Sequence, residues 1–320
     1  MLGEVLFGIF LILVLVFSSG VAVDIFEKIA HEVKINKLLL ATFLVSFSTS
    51  LPEFSVGIVS ALKGEPQIAL GNLIGANLAN LSWIVGGAAV VAGVIPVIGD
   101  YLKKDLWMTI GMAMTPFFLM GDGKLGRFDG ALLILIYFFY AKNMVREADV
   151  LKHSKLRKNK KTHWKIKSVE GWLLHFVILL GALMLMVVSS HYLINTALHL
   201  TNKLGVSAYW VGLMIISLGT TLPELVLSLF ASKKGDVSLL LGNILGSVVV
   251  NSTFIMGTIA IISPIIFESS VQKGLSGLFL IIILGLFWLF TKSKRKLERW
   301  EGLTLIGIYL MFVGLQFLFA

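Results

Sequence analysis

Ser-Thr-Ser-Leu-Pro-Glu at residues 48–53 and Gly-Thr-Thr-Leu-Pro-Glu at residues 219–224 are two versions of one phrase, 171 residues apart. The same offset brings Lys63-Gly64-Glu65 onto Lys234-Gly235-Asp236, Leu70-Gly71-Asn72 onto Leu241-Gly242-Asn243, Gly75 onto Gly246 and Asn80 onto Asn251. Register kept over this length without a gap is the mark of an internal repeat, so the chain is built as two copies of one unit.

The material around these phrases belongs in lipid. Of 320 residues 57% are hydrophobic and only 14% are charged, and the mean hydropathy is +0.91, outside the range of soluble domains. A spanning helix needs about 20 apolar residues, and such segments fall at 2–23, 35–62, 66–94, 104–121, 128–146, 170–199, 206–232, 237–264, 272–291 and 300–319. The first, apolar from Leu6 to Val23, has neither a basic leader nor a small-residue cleavage site and reads as a retained helix. With 0 Cys there is no disulfide or thiolate chemistry. The aromatic and methionine runs at Tyr137–Tyr140 and Met112–Met120 read as packing or lipid-facing surface.

The formal charge of +9 sits in loops and not on a nucleic-acid-binding face. Between Lys142 and Lys167 lie Arg146, Lys152, Lys155, Arg157, Lys158, Lys160, Lys161 and Lys165, against Glu147 and Asp149. The positive-inside rule places this linker in the cytoplasm, together with Lys103, Lys104 and the cluster Lys292, Lys294, Arg295, Lys296 and Arg299. Both termini then face outward from a multi-pass plasma-membrane protein, read as a monomer whose partners are small cations and the bilayer. Residues 1–146 form the first half, 147–169 the basic linker and 170–320 the second half. Since each half has an odd number of spans, the halves enter the membrane from opposite sides. The expected fold is all-α: ten transmembrane helices as two inverted five-helix repeats, with discontinuous helices at an ion site.

Charged groups at membrane depth cost about 2.5–3.5 kcal/mol each on insertion scales and mark function. Glu53 and Glu224 are two such groups at matched positions of the repeat. Each follows a proline, and Pro52 and Pro223 have no amide to give the carbonyls of Ser48 and Gly219. Each span should therefore open where the hydroxyls cluster. The result is a set of hard oxygens: the two carboxylates, carbonyls of Ser48, Thr49, Gly219 and Thr220, and hydroxyls of Ser50 and Thr221. Asn72, Asn80, Asn243 and Asn251 add amide oxygens, and the Gly71/Gly75 and Gly242/Gly246 pairs allow close helix approach. Such ligands suit Ca²⁺ or Na⁺ as transported ions, with no organic cofactor. His31-Glu32 lacks a second His at metalloprotease spacing and no phosphate loop is present, so an enzyme is not expected. A channel would need a filter-like loop that is not found. His153 and His163 read as loop residues, and His175 and His191 as hydrogen-bonding groups, not a proton relay.

The paired Leu-Pro-Glu phrases, each followed by Gly-Asn-x-x-Gly and then Asn, resemble the two alpha-repeats of the calcium/cation antiporter superfamily, above all its prokaryotic sodium/calcium exchangers. That resemblance implies Ca²⁺ between Glu53 and Glu224, Na⁺ sites sharing those glutamates with oxygens of Thr49, Ser50, Thr220, Thr221 and Ser247, and first and sixth spans that slide together against the other eight. The chain departs from the pattern at Asn251, often an aspartate, at Ala76, often a serine, and at Val248, usually an asparagine. Ca²⁺ extrusion driven by Na⁺ is the leading reading, and H⁺/Ca²⁺ exchange fits two carboxylates as well.

Overall fold

The computed structural model describes residues 2–32, 45–97, 100–154, 169–266 and 271–319, and in them the chain is almost entirely helical. In the first half α1 is Leu2–Glu32, α2 Ser46–Thr49, α3 Leu51–Leu62, α4 Pro66–Ala79, α5 Val85–Ala92, α6 Asp100–Leu119 and α7 Arg127–Ser154. In the second half α8 is Val169–Leu204, α9 Ala208–Val211, α10 Ser217–Thr220, α11 Leu222–Lys234, α12 Val237–Val250, α13 Met256–Ile262, α14 Val271–Lys294 and α15 Arg299–Leu318. Wider π turns at Asn80–Ile84, Gly212–Ile216 and Asn251–Ile255 join neighbouring helices. Six helices among the described residues are long and apolar enough to cross a membrane, and α9–α10 with α11 reach that length and apolarity only together, across a bend of 42°. The shorter α3 is also apolar, and the start of the expected 35–62 span lies outside the described residues.

Local chemistry sets the boundaries. Pro52, Pro66 and Pro223 sit in the first turn of α3, α4 and α11, where a missing amide costs nothing and the fixed φ suits a helix. Gly64, Gly93 and Gly235 take φ of 74°, 80° and 66° just beyond α3, α5 and α11, a conformation that ends a helix and favours glycine. A capping box between Glu298 and Glu301 starts α15.

The repeat seen in sequence recurs in structure. The break before α3 matches the break before α11, α4 matches α12, and the π turn at Asn80 matches the one at Asn251, all at the same offset. α4 and α12 form the centre, with Ile68–Ala79 and Leu240–Val250 buried throughout. α4 lies backbone to backbone against the π turn at 212–216: a Cβ on Gly71 would stand 2.1 Å from the Tyr209 carbonyl oxygen, and one on Gly212 2.2 Å from that of Ile68. Around this centre α5 packs on α15 and α13 on α7, through Gly86 against Gly302 and Gly257 against Gly130. Two short antiparallel ladders join the halves: β1 (Val94–Pro96) pairs with β4 (Lys296–Glu298), and β2 (Lys124–Leu125) with β3 (Ile265–Ile266).

The long helices α1 and α8 pack mainly on each other. They run antiparallel, since Glu4 pairs with Lys203 at 2.6 Å and Gly8 faces Thr196. α8 also lies along α3, where Ser55 and Ser190 share a hydrogen bond of 2.9 Å and Lys63 donates to Asn195 Oδ1 and to the His191 carbonyl. α1 touches α11 far less. Of the run Tyr137–Tyr140, the two tyrosines are buried while Phe138 and Phe139 are exposed.

Candidate ion-binding site

Glu53 and Glu224 are fully buried. Each lies in the first turn of its helix, where the positive end of the helix dipole favours an anion. Two carboxylates out of water cost several kcal/mol apiece unless cations or protons offset them, so the site is made for compensating positive charge.

The backbone opens less than the sequence led us to expect. Ser50 and Thr221 alone leave helical geometry, with φ/ψ of −83°/7° and −81°/2°, and their amides still reach Ser46 and Ser217 at 3.1 Å. The expected unwound stretch is thus a one-residue break. Its cause is that each proline falls at the start of a new helix, where no bond is lost.

Two matched hydrogen bonds stitch the halves together across the site. Thr49 Oγ1 donates to Asn243 Oδ1 at 3.0 Å, and Thr220 Oγ1 donates to Asn72 Oδ1 at 3.0 Å. Thr220, its hydrogen given to Asn72, lies beside the Glu53 carboxyl, while Thr49 and Ser50 lie beside that of Glu224. Ser247 Oγ stands 3.4 Å from Glu224 Oε1 and 3.3 Å from Thr49 Oγ1. Ser48 is buried in the same short helix as Thr49. α1 presses on Gly219, where a Cβ would stand 2.6 Å from Ile12. Thr221 gives its hydroxyl hydrogen to the Ser217 carbonyl at 2.8 Å, the usual resort of a threonine inside a helix, and keeps the lone pairs of its oxygen.

The repeat alignment passed over Asn77. Its Nδ2 donates to Ser252 Oγ at 2.8 Å and its Oδ1 accepts from Asn251 Nδ2 at 3.2 Å. Its counterpart in the second repeat is Val248, so it is not a matched pair and its role was legible only as half of a departure from the family pattern.

What remains is a set of buried polar atoms, most of them oxygens, without partners. Among the described residues no hydrogen-bond partner reaches either oxygen of Glu53, Glu224 Oε2, the Ser50 hydroxyl, Asn251 Oδ1 or either polar atom of the Asn80 carboxamide. Buried polar atoms are nearly always partnered, so this cluster around two carboxylates fits a hard cation, with coordination by oxygen alone. The residues next to Ser48 and Glu53 in sequence, Phe47 and Phe54, join an aromatic cluster in which the Phe254 ring lies 5.6 Å from both and 5.2 Å from Tyr137.

The chain is similar to known exchangers over nearly its whole length. It is 25% identical to the sodium/calcium exchanger MaX1 of Methanosarcina acetivorans, over 95% of each chain. The solved sodium-calcium exchanger NCX_Mj superposes with a TM-score of 0.67 at 22% identity, covering 98% of this chain and 97% of that one. The solved H⁺/Ca²⁺ exchanger CAX gives 0.79 at 18% identity, covering 99% of this chain and 82% of that one. Both superpositions speak for the shared fold. The model of the sodium/calcium exchanger protein family matches residues 4–145 and 174–318, taking in both Leu-Pro-Glu phrases and every residue of the cluster around them, and this multi-pass membrane protein therefore belongs to that family.

Proposed function

We propose that this antiporter exports Ca²⁺ in exchange for Na⁺, each ion being held in turn between Glu53 and Glu224. The observation that carries the reading is the burial of both carboxyls among oxygens that lack donors. One Ca²⁺ neutralises two carboxylates, and so do Na⁺ ions. A neutralised site can pass an apolar barrier, whereas an empty dianionic one carries a large desolvation penalty, and obligatory exchange follows.

The architecture proposed for this is ten crossings in two oppositely inserted halves, 1–146 and 170–320, joined by a cytoplasmic basic linker at 147–169. The ladders support it. On a ten-span path Val94–Pro96 follows the third crossing and Lys296–Glu298 the ninth, while Lys124–Leu125 follows the fourth and Ile265–Ile266 the eighth, so each observed pair shares one face of the membrane. The antiparallel packing of α1 on its counterpart α8 supports opposite insertion. The ligands proposed are Glu53 and Glu224, with oxygens of Ser48, Thr49, Ser50, Gly219, Thr220, Thr221 and Ser247 and the amides of Asn72, Asn80, Asn243 and Asn251.

A second reading takes protons as the counter-ion. It is favoured by Ala76, which offers Glu53 no hydroxyl where Ser247 stands by Glu224, and by the uncharged Asn251. Purified protein in vesicles, loaded with radiolabelled Ca²⁺ under a Na⁺ gradient or a pH gradient alone, separates the two. Uptake is expected under the Na⁺ gradient, and uptake that follows only pH makes the second reading the right one. Glu53→Gln and Glu224→Gln should each abolish uptake while the protein still elutes as a folded species; normal flux in either refutes the site.

A further inference from the structure

We infer that Asn77 is a positioning residue for the ion site, holding the Asn251 carboxamide with its oxygen turned inward, and that Val248 withholds the same support from Asn80. This rests on the proposed reading of the site. Asn243, Ser247 and Asn251 are spaced by four on one helical face, and on that face Asn243 meets Thr49 and Ser247 approaches Glu224. Asn251 thus lies one turn further along the same face.

The Asn251 amide is spent on Asn77 Oδ1, and Asn77 is itself anchored through Ser252. Asn77 is buried, 3% exposed, so the pair is fixed on both sides. With its NH₂ held there, Asn251 presents an Oδ1 that no donor meets. The matched residue Asn80 has neither polar atom partnered among the described residues, and the matched position to Asn77 is Val248, which has nothing to offer.

The asymmetry goes further. Each repeat keeps one support and has lost the other: Ser247 against Ala76, Asn77 against Val248. Both surviving supports reach the same pair of ligands, Glu224 and Asn251. One half of the site is therefore built in advance, and the other half, Glu53 with Asn80, is free to adapt. Ligands held by outer partners bind metal more tightly, and losing such a partner typically costs 10- to 100-fold in affinity.

A double-mutant cycle on Ca²⁺ uptake in vesicles tests this. Asn77→Val should raise the KM for Ca²⁺ about tenfold with maximal rate unchanged, and should raise it no further in the Asn251→Val background, because the two act as one unit. An equal rise in both backgrounds, or a fall in maximal rate alone, overturns the assignment. Should Asn77→Val fail to accumulate, Val248→Asn carries the test: it should lower the KM by giving Asn80 the missing partner, and an unchanged or higher KM overturns the assignment. If Glu53→Gln and Glu224→Gln keep uptake, the ion-site reading itself fails; if they lose it while the cycle is additive, only the role of Asn77 falls.

Discussion

At the scale of single residues, the two carboxylates differ in company. Glu224 has Ser247 near one oxygen, whereas Glu53, in the copy where Ala76 takes the place of Ser247, has no donor among the described residues. Ala76→Ser should supply the missing hydroxyl. One added hydroxyl contact is worth about 1 kcal/mol, so the Na⁺ concentration for half-maximal exchange is expected to fall roughly fivefold, and a value that stays put argues that Na⁺ is not bound beside Glu53. The glutamates, the paired threonines and Asn72 and Asn243 were legible in the sequence because both copies carry them. Asn77 and Ser247 were less so, since comparison of the copies is silent where one copy has changed, and only the fold shows which neighbour each one serves.

At the scale of elements, the prolines announced where α3 and α11 begin, but not how small the break would be. Proline removes one donor, and a fresh helix start absorbs that loss within a single residue, as at Ser50 and Thr221. The ladders β1–β4 and β2–β3 had no local signature, because strands of two or three residues arise from proximity, not from an alternating pattern. Two tests belong here. Gly71→Ala puts a methyl 2.1 Å from the Tyr209 carbonyl, where both sides are backbone and neither can yield cheaply; overpacking of about 1–3 kcal/mol should lower the unfolding temperature in detergent, and an unchanged midpoint would show that α4 is not clamped as described. The chain has 0 Cys, so Ser55→Cys with Ser190→Cys introduces the sole thiol pair, on hydroxyls 2.9 Å apart. Oxidation should tie α3 to α8 and stop uptake until reductant is added, and full activity when cross-linked would rule out movement between these helices.

At the scale of the molecule, two like halves sit in unlike surroundings. α3 is buried along most of its length and carries α8 upon it, whereas in α11 only Glu224, Ser228, Ala231 and Ser232 are buried and Val226, the counterpart of Ser55, is 63% exposed. If the halves exchange roles during transport, the opposite state should cover Val226 and uncover Ser55. A cysteine at each position, labelled with and without Ca²⁺ and Na⁺, reports this: reactivity should shift from one to the other as the ion changes, and constant labelling at both would mean a structure with one access route only. The matching of elements around the site was readable from the constant offset, but this imbalance was not, since identical phrases say nothing about which copy is covered at a given moment.

The small ladders have a mechanical consequence. Each is a run of main-chain bonds fastening one half to the other, β1 to β4 and β2 to β3. Such a seam resists shear through the main chain, whatever side chains flank it. Under the proposed exchange, such clasps leave α1 and α8, which carry no strand of either ladder, as the rods able to slide, so that the wall beside the cargo would travel farther than the cargo itself.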